Sequence, residues 1–465
     1  MPDPRQFATT IVRTLRGRGH QAFLVGGCVR DLLLQREPAD YDVATDATPP
    51  QVMQIFPETY AVGAQFGVVL VPIPRDGETA DGLAPSPAAP DAGVPAPSPK
   101  AHAVEVATFR ADLSYSDGRH PDQVRFSQDA REDVERRDFT INGLLLDPLT
   151  NEVLDYVGGR NDLEAHVVRA IGEPERRFTE DKLRMLRAIR FAARFDYAID
   201  PATFAAIRKL APQILQVSHE RVRDELTKML TEGHARRAFI LLDECGLLRE
   251  VLPEISAMKG VQQPPRYHPE GDVFVHTLLL LENLPHPCPL TLAWGALLHD
   301  VGKPPTFRVA PDRIRFDGHV EVGVRMAEEI CRRLRFSNDD TDQILALVNN
   351  HMRFADIPRM KESTLKRFLR MPRFTEHLEL HRIDCSASHG DLTLYDFARE
   401  RLASIPPEKM RPVPLLTGND LIAEGYAPGP AFKQILAAVE DAQLEGTLNS
   451  KEQALAFVSD SFPRT

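Results

Sequence analysis

The chain has 465 residues, 43% of them hydrophobic and 26% charged, and a formal net charge of −11. That length exceeds one ordinary core and fits about three domains, and the acidic balance excludes a protein that binds nucleic acid over its whole surface. The basic, polar start MPDPRQFATTIVRTLRGRGH has no apolar signal segment, no later run would span a bilayer, and five scattered cysteines form no CxxC pair; the expectation is a cytoplasmic protein with no membrane partner, no disulfide framework and no zinc ribbon.

In chain order, residues 5–19 read as a helix and 21–25 as the first strand. The strand runs into LVGGCVRDLLLQREPADYDV at 24–43. Gly26 and Gly27 let a backbone approach phosphate oxygens without a Cβ in the way, and Arg30 adds a fork of donors, so the layout suits a polyphosphate. Asp40 and Asp42 are two apart; on a strand both carboxylates leave from one face and Tyr41 from the other. Such a pair seats hard divalent cations, and without one its like charges would repel. Thr48-Pro49-Pro50 opens a helix, and TYAVGAQFGVVLV at 59–71 reads as a hairpin. Residues 72–99 collapse into Pro, Ala, Gly, Asp and Ser, a disordered insertion carrying no site. In the strand 102–109, Glu105 faces opposite to Val104 and Val106, a third carboxylate for Asp40 and Asp42. Residues 110–130 read as a mobile polar loop and 129–136 as a helix. Arg137, Asp138 and Asn142 then mix charge with an apolar Phe-Thr-Ile.

FTEDKLRMLRAIRFAARF at 178–195 predicts one helix capped by Thr179, with Arg187, Arg190 and Arg194 in a stripe beside the apolar face. Asp181 and Arg184, one turn apart, form either an ion pair or an acceptor and donor that read a nucleobase edge. Cytosine and adenine both present an amino donor beside a ring-nitrogen acceptor, so such a pair selects C and A together. A further helix at 220–230 carries Glu220, Arg221, Arg223 and Glu225. Residues 165–240 hold 15 Lys/Arg against 10 Asp/Glu, a basic stretch in an acidic chain.

From about residue 261 the chemistry changes. His276 sits in VFVHTLLLLENL, His299 and Asp300 end LAWGALLHDVGK, and Asp384 lies in HRIDCSASHG. This series resembles the HD phosphohydrolase superfamily, with His319 and His351 as further ligands of a divalent transition metal that would activate water against a phosphoester.

GGCVRD at 26–31, the Asp40/Asp42 pair, EVATFR at 105–110, RRDFTIN at 136–142, DYVGGRNDL at 155–163, EDKLR at 180–184 and ERVRDEL at 220–226 resemble the successive motifs of class II bacterial CCA-adding tRNA nucleotidyltransferases and their relatives, the bacterial poly(A) polymerases. The resemblance covers about half the chain, in order. It implies an α+β protein: a polymerase-β-like nucleotidyltransferase head (1–165), then an all-α neck (166–260), an HD body (261–400) and a tail (401–465). It also implies that Asp40 and Asp42 bind two Mg²⁺ ions and that Gly27 and Arg30 hold the triphosphate. Arg137, Asp138 and Asn142 would then lie near the ribose, Asp181 and Arg184 would template the base, and Arg187 and Arg190 would sit close by on triphosphate or tRNA. The expected reaction is transfer of C, C and A from CTP and ATP to tRNA. LLTGNDLIAEGYAPGPAFKQIL at 415–436 resembles CCA enzymes more than the basic tail of a poly(A) polymerase. Some CCA enzymes carry an HD domain that hydrolyses 2′,3′-cyclic phosphates or 2′-nucleotides. The rival readings are poly(A) addition, CC-only or A-only addition, an HD phosphohydrolase with a non-catalytic nucleotide-binding head, and a non-catalytic RNA-binding protein.

Overall fold

A computed structural model describes residues 3–60, 67–73, 103–114, 123–265, 268–311 and 313–463. With 59% helix and 10% strand the fold is α+β. The chain forms two compact units, Met1–Met229 with Arg237–Val251, and Leu230–Arg236 with Leu252–Thr465. Among the described residues no helix is long and apolar enough to cross a membrane. Of the insertion expected over 72–99, Pro72 ends a strand instead, and residues 74–99 lie outside the described ones.

The first unit begins with α1 (Pro4–Gly17), whose Asp3 cap accepts from the Arg5 amide and whose Ala8, Ile11, Val12 and Leu15 form the buried stripe. The sheet is built from β1 (Ala22–Val25), β2 (Asp42–Thr45), β3 (Val68–Pro72) and β4 (Ala103–Thr108), joined by β7 (Leu144–Leu146) and β8 (Val153–Asp155) after the two strands of a separate ribbon, β5 (Arg110–Ser114) and β6 (Gln123–Phe126). The order across the sheet is β3-β4-β2-β1-β7-β8. Within this sheet, among the described residues, only β2 and β4 run parallel, with Asp42 opposite Glu105; β1 and β2 are antiparallel, with Leu24 opposite Val43. The register therefore brings the turn after β1 and the starts of β2 and β4 to one end of the sheet. Helices α2 (Gly27–Leu33), α3 (Pro49–Ile55), α4 (Ala130–Glu135) and α5 (Gly159–Glu164) flank it. Of the expected hairpin, Tyr60 bridges Leu70 and residues 61–66 lie outside the described ones.

Two local expectations are corrected. The segment 110–130, read as a loop, contains the β5–β6 ribbon, whose strands RADLS and QVRF hold too few apolar residues to announce themselves; the Phe126 ring lies against Gly67, where a Cβ would come within 3.0 Å of it. The single helix expected over 178–195 is two, α6 (Pro174–Glu180) and α7 (Leu183–Phe195), because Asp181 is extended (φ −142°, ψ 107°) and its carboxylate accepts from the Leu183 amide at 3.1 Å. Asp competes with helical hydrogen bonding in this way and favours a cap. Thr179 bonds back to the Glu175 carbonyl inside α6 and caps nothing. Then follow α8 (Pro201–Leu210), α9 (His219–Thr231), α10 (Ala235–Glu244) and α11 (Leu247–Val251).

The second unit is helical: α12 (Pro253–Ser256), α13 (Val273–Glu282), α14 (Leu290–Leu298), α15 (Lys303–Thr306), α16 (His319–Arg333), α17 (Asn338–Asn350), α18 (Glu362–Leu369) and α19 (Phe374–Ala387) come first. Every residue of α14 from Thr291 to Leu298 is buried, which is why its sequence is apolar all round. Gly295 lets α14 lie against α17, since a Cβ there would meet Leu347. Beyond α19, α20 (Thr393–Ser404) covers the Phe354–Phe368–Phe374 cluster, while α22 (Gly418–Ala423), α23 (Pro430–Leu444) and α24 (Lys451–Ser461), after the short α21 (Pro407–Met410), pack Leu421, Ile435, Val439, Ala454 and Val458 together.

Candidate active site and metal centre

Asp42 opens β2, half-buried, beside its register partner Glu105. Side chains opposite one another on neighbouring strands share a face, so these two carboxylates stand together, while Val104, Val106 and Tyr41 are buried, the valines 1% exposed and Tyr41 4%. Asp40 is exposed and lies just before the strand. Gly26 turns the chain after β1 with φ +78°, a conformation glycine adopts without a steric penalty. A Cβ on Gly26 would sit 3.1 Å from Arg137 Nη1, and one on Gly27 3.6 Å from Arg30 Nη2. Two guanidinium groups therefore flank the glycine turn.

They differ in character. Arg30 is 4% exposed: it donates to Asp31 (Nε, 2.9 Å) and to Asn142 Oδ1 (2.6 Å) and lies over the Phe195 ring at 4.6 Å. It braces the turn from the interior. Arg137 is half-buried and is gripped by Asp133 (Nη2, 3.0 Å; Nε, 3.4 Å).

Asn142 passes the contact on. Its amide donates to Asp138 Oδ1 at 3.1 Å, and Asp138 Oδ2 accepts from Arg187 Nε at 2.9 Å. Burial alone would raise the Asp138 carboxyl, but Arg187 and the Asn142 hydrogen bond outweigh it and hold it at about 2. Arg187 also approaches Glu225 at 3.8 Å, and buried Arg190 donates to the same carboxylate at 2.7 Å. Arg30, Asn142, Asp138, Arg187, Glu225 and Arg190 thus form one continuous network.

Asp181 and Arg184 do not pair with each other in the structure. Asp181 accepts from Arg221 on α9 at 2.8 Å, while Arg184 donates to Glu180 at 3.0 Å and to the Arg177 and Arg136 carbonyls at 3.1 Å each. Arg221, Glu225 and Glu180 all lie in the recognised motifs, yet only folding reveals their partners. Asp133, one residue type among many acids in REDVERRD, gave no sequence signal.

In the second unit His276 (α13), His299 and Asp300 (the end of α14), His319 (the start of α16), His351 (the end of α17) and Asp384 (α19) converge. Asp300 Oδ2 stands 3.1 Å from His299 Nε2 and 3.8 Å from His276 Nε2; Oδ1 stands 3.8 Å from His351 Nε2 and 3.9 Å from His319 Nε2. Asp384 Oδ1 is 3.1 Å from His276 Nε2. His299, His319 and His351 each place Nδ1 on the backbone carbonyl three residues earlier, at 2.8, 3.0 and 2.7 Å. That fixes the proton on Nδ1 and leaves three buried Nε2 lone pairs which, among the described residues, have no hydrogen-bond partner. Unsatisfied buried acceptors of this kind are costly unless a cation meets them. Burial pushes His351 down to about 4, so it stays neutral and able to ligate; the Lys303 ammonium at 2.7 Å helps hold Asp300 well below the carboxylate range in spite of its burial. Burial pulls His276 down, but Asp384 and Glu270 lift it to about 9. Two ligand groups, His276–His299–Asp300 and Asp300–His319–His351, share Asp300, and each has its ligating atoms within 4.8 Å. The sequence pattern missed Glu270, 2.8 Å from His276 Nδ1, and Lys303, 2.7 Å from Asp300. A cavity of about 640 Å³ opens onto His319, His351 and Asp384, with Lys303, Arg315 and Phe316 in its wall.

Residues 22–79 and 91–169 match the poly A polymerase head domain, 196–259 the probable RNA and SrmB- binding site of polymerase A, and 273–386 the HD domain. The CCA-adding enzyme of Geobacillus stearothermophilus is 31% identical over 468 residues, covering 99% of this chain and 98% of the relative; that of Enterococcus faecalis is 29% identical over 466 residues, covering 98% and 95%. The crystal structure of the Bacillus stearothermophilus CCA-adding enzyme in complex with CTP is similar with a TM-score of 0.72 at 28% identity, over 99% of this chain and 98% of that one. A nucleotidyltransferase-type head, the motif series and similarity running from end to end agree: the chain belongs to the family of CCA-adding enzymes.

Proposed function

We propose that this protein completes tRNA 3′ ends by adding C, C and A from CTP and ATP, and that the chemistry takes place at the Asp42–Glu105 end of the head sheet. The observation that carries the reading is the register, which sets Asp42 beside Glu105 and brings the Gly26–Gly27 turn and Arg137 to the same edge. In the reaction the RNA 3′ oxygen bonds to the α-phosphorus as the bond to the β-phosphate oxygen breaks, releasing pyrophosphate. The glycine turn admits the triphosphate close to the backbone, and Arg137 meets its charge. Arg30 holds Asn142 and, through it, Asp138 in place beside the ribose. Asp181 and Arg184 judge the base, which requires them to exchange Arg221 and Glu180 for the nucleotide edge; Arg187 and Arg190, anchored on Asp138 and Glu225, keep α7 in register with the head.

Enzymes of this kind use divalent metal ions. Asp42 and Glu105 on one face, with Asp40 exposed at the strand's start, fit a pair of Mg²⁺ ions, which when bound supply Lewis-acid stabilisation of the transferring phosphate. We assign residues 1–165 as the catalytic head, 166–260 as the neck, 261–400 as the HD body and 401–465 as the tail. Labelled CTP and tRNA lacking its last three nucleotides test the reading: Asp42→Ala and Asp40→Ala are expected to lose incorporation by at least about 100-fold, and incorporation at the wild-type rate would contradict it.

A second activity is favoured by a separate observation, the buried imidazoles around Asp300. His276, His299, Asp300, Asp384, His319 and His351 would hold a divalent transition metal, which supplies an activated water for phosphoester hydrolysis. Lys303 and Arg315 in the cavity wall suit the phosphate and Phe316 an attached ring.

A further inference from the structure

Asp133 on α4 is 1% exposed and holds two arginines at once. One carboxylate oxygen accepts from Arg136 Nη2 (2.6 Å) and Nε (2.9 Å) and, at 3.4 Å, from the Arg110 amide; the other accepts from Arg137 Nη2 (3.0 Å) and Nε (3.4 Å). With Nε and Nη2 of Arg137 both held by that one oxygen, Nη1 is left as the directed arm, and Nη1 is the atom 3.1 Å from the place a Gly26 Cβ would take. The Arg136 carbonyl, in the same short segment, accepts from Arg184 Nη2 at 3.1 Å and Arg177 Nη1 at 3.2 Å. One buried carboxylate therefore fixes the segment from which both a phosphate-side and a base-side arginine take their position.

We propose that Asp133 is a positioning residue for the incoming nucleotide: it aims Arg137 at the triphosphate on the Gly26–Gly27 turn and, through the Arg136 backbone, sets Arg184 at the base. This rests on the reading of the glycine turn as the phosphate seat. Arg137 is the same group whichever nucleotide is bound, so the loss on removing Asp133 falls on CTP and ATP alike.

The test is equilibrium binding of CTP and ATP, and of tRNA, to the full-length protein as Asp133→Asn, Arg137→Ala and the double variant, with melting curves for each. Asp133→Asn is expected to weaken both nucleotides by about 10-fold, the scale of one charge-assisted hydrogen bond, to raise KM by a similar factor, and to leave tRNA affinity within about 2-fold. The double variant is expected to lose less nucleotide affinity than the product of the two single losses, because the share of Asp133 that acts through Arg137 is already gone in Arg137→Ala. Should Asp133→Asn not fold, Asp133→Glu, which keeps the charge and moves it by one methylene, carries the same comparison. Wild-type nucleotide affinity in the Asp133 variant beside a weakened Arg137→Ala overturns the proposal, as does a lowered melting temperature with unchanged affinity. Wild-type affinity in Arg137→Ala overturns the phosphate seat itself.

Discussion

Asp138 shows how one side chain links the stability of the head to its chemistry. Its folded pKa of about 2 lies below the value near 3.9 of an unfolded aspartate, so the ionised group contributes roughly 2–3 kcal/mol above pH 4, and this is lost as pH falls towards 2. Denaturant midpoints measured at pH 5, 4 and 3 are expected to fall with acid in the wild type and to fall less in Asp138→Asn; equal slopes would show that the network with Arg187 and Asn142 contributes nothing. The placement of Asp42 beside Glu105 was legible in the sequence because alternation along a strand fixes the face a residue takes, whereas Asp40, expected on the same strand face, lies just before the strand. The partners of Asp181 and Arg184 were not legible. Spacing along one helix suggests an i, i+3 pair, but the Arg221 that holds Asp181 arrives from another helix 40 residues on, and the helix itself breaks at Asp181.

At the scale of elements, two glycines show what motif spacing conceals. In DYVGGRNDL the second glycine, Gly159, faces the Thr140 carbonyl so closely that a Cβ would overlap it, and Thr140 begins the 3-10 turn that carries Asn142. Gly158, by contrast, has φ +79° with open space where a Cβ would point. Gly159→Ala is expected to cost about 1–3 kcal/mol by overpacking and to raise the KM for nucleotide; Gly158→Ala is expected to cost about 1–2 kcal/mol of backbone strain and leave KM unchanged. Chemical denaturation with steady-state kinetics separates them, and equal KM values in the two variants would contradict a bracing role for α5. Gly302 plays a similar part in the second unit, where a Cβ would overlap the His319 carbonyl; Gly302→Ala is expected to lower the metal content of the purified protein, read by elemental analysis. The element boundaries that reading the sequence mistook, the β5–β6 ribbon and the α6–α7 break, are those set by local polar hydrogen bonds rather than by hydrophobic period.

At the scale of the whole molecule, the expected head and all of the expected neck except residues 230–236 and 252–260 lie within one compact unit, in which Phe139 packs edge-on to Phe191 of α7 at 5.7 Å and Arg187 reaches back to Asp138. A motif boundary is not a packing boundary. The HD residues lie in the other unit, each with its own supporting contacts, so the two chemistries are expected to separate: His351→Ala should abolish metal-dependent hydrolysis of a phosphoester and leave nucleotide incorporation within about 2-fold, and joint loss in a folded variant would contradict this. The motif series was enough to read the family from the sequence, whereas the order and number of nucleotides added, on the proposed role of Asp181 and Arg184, would depend on how those two meet a base. The most direct measurement is therefore sequencing of RNA 3′ ends after tRNA ending at its discriminator base is incubated with the protein, CTP and ATP, with Asp42→Ala in parallel. CCA addition predicts products ending in CCA from the wild type and none from the variant; homopolymeric A tails, C-only or A-only ends, or extension by Asp42→Ala would contradict it.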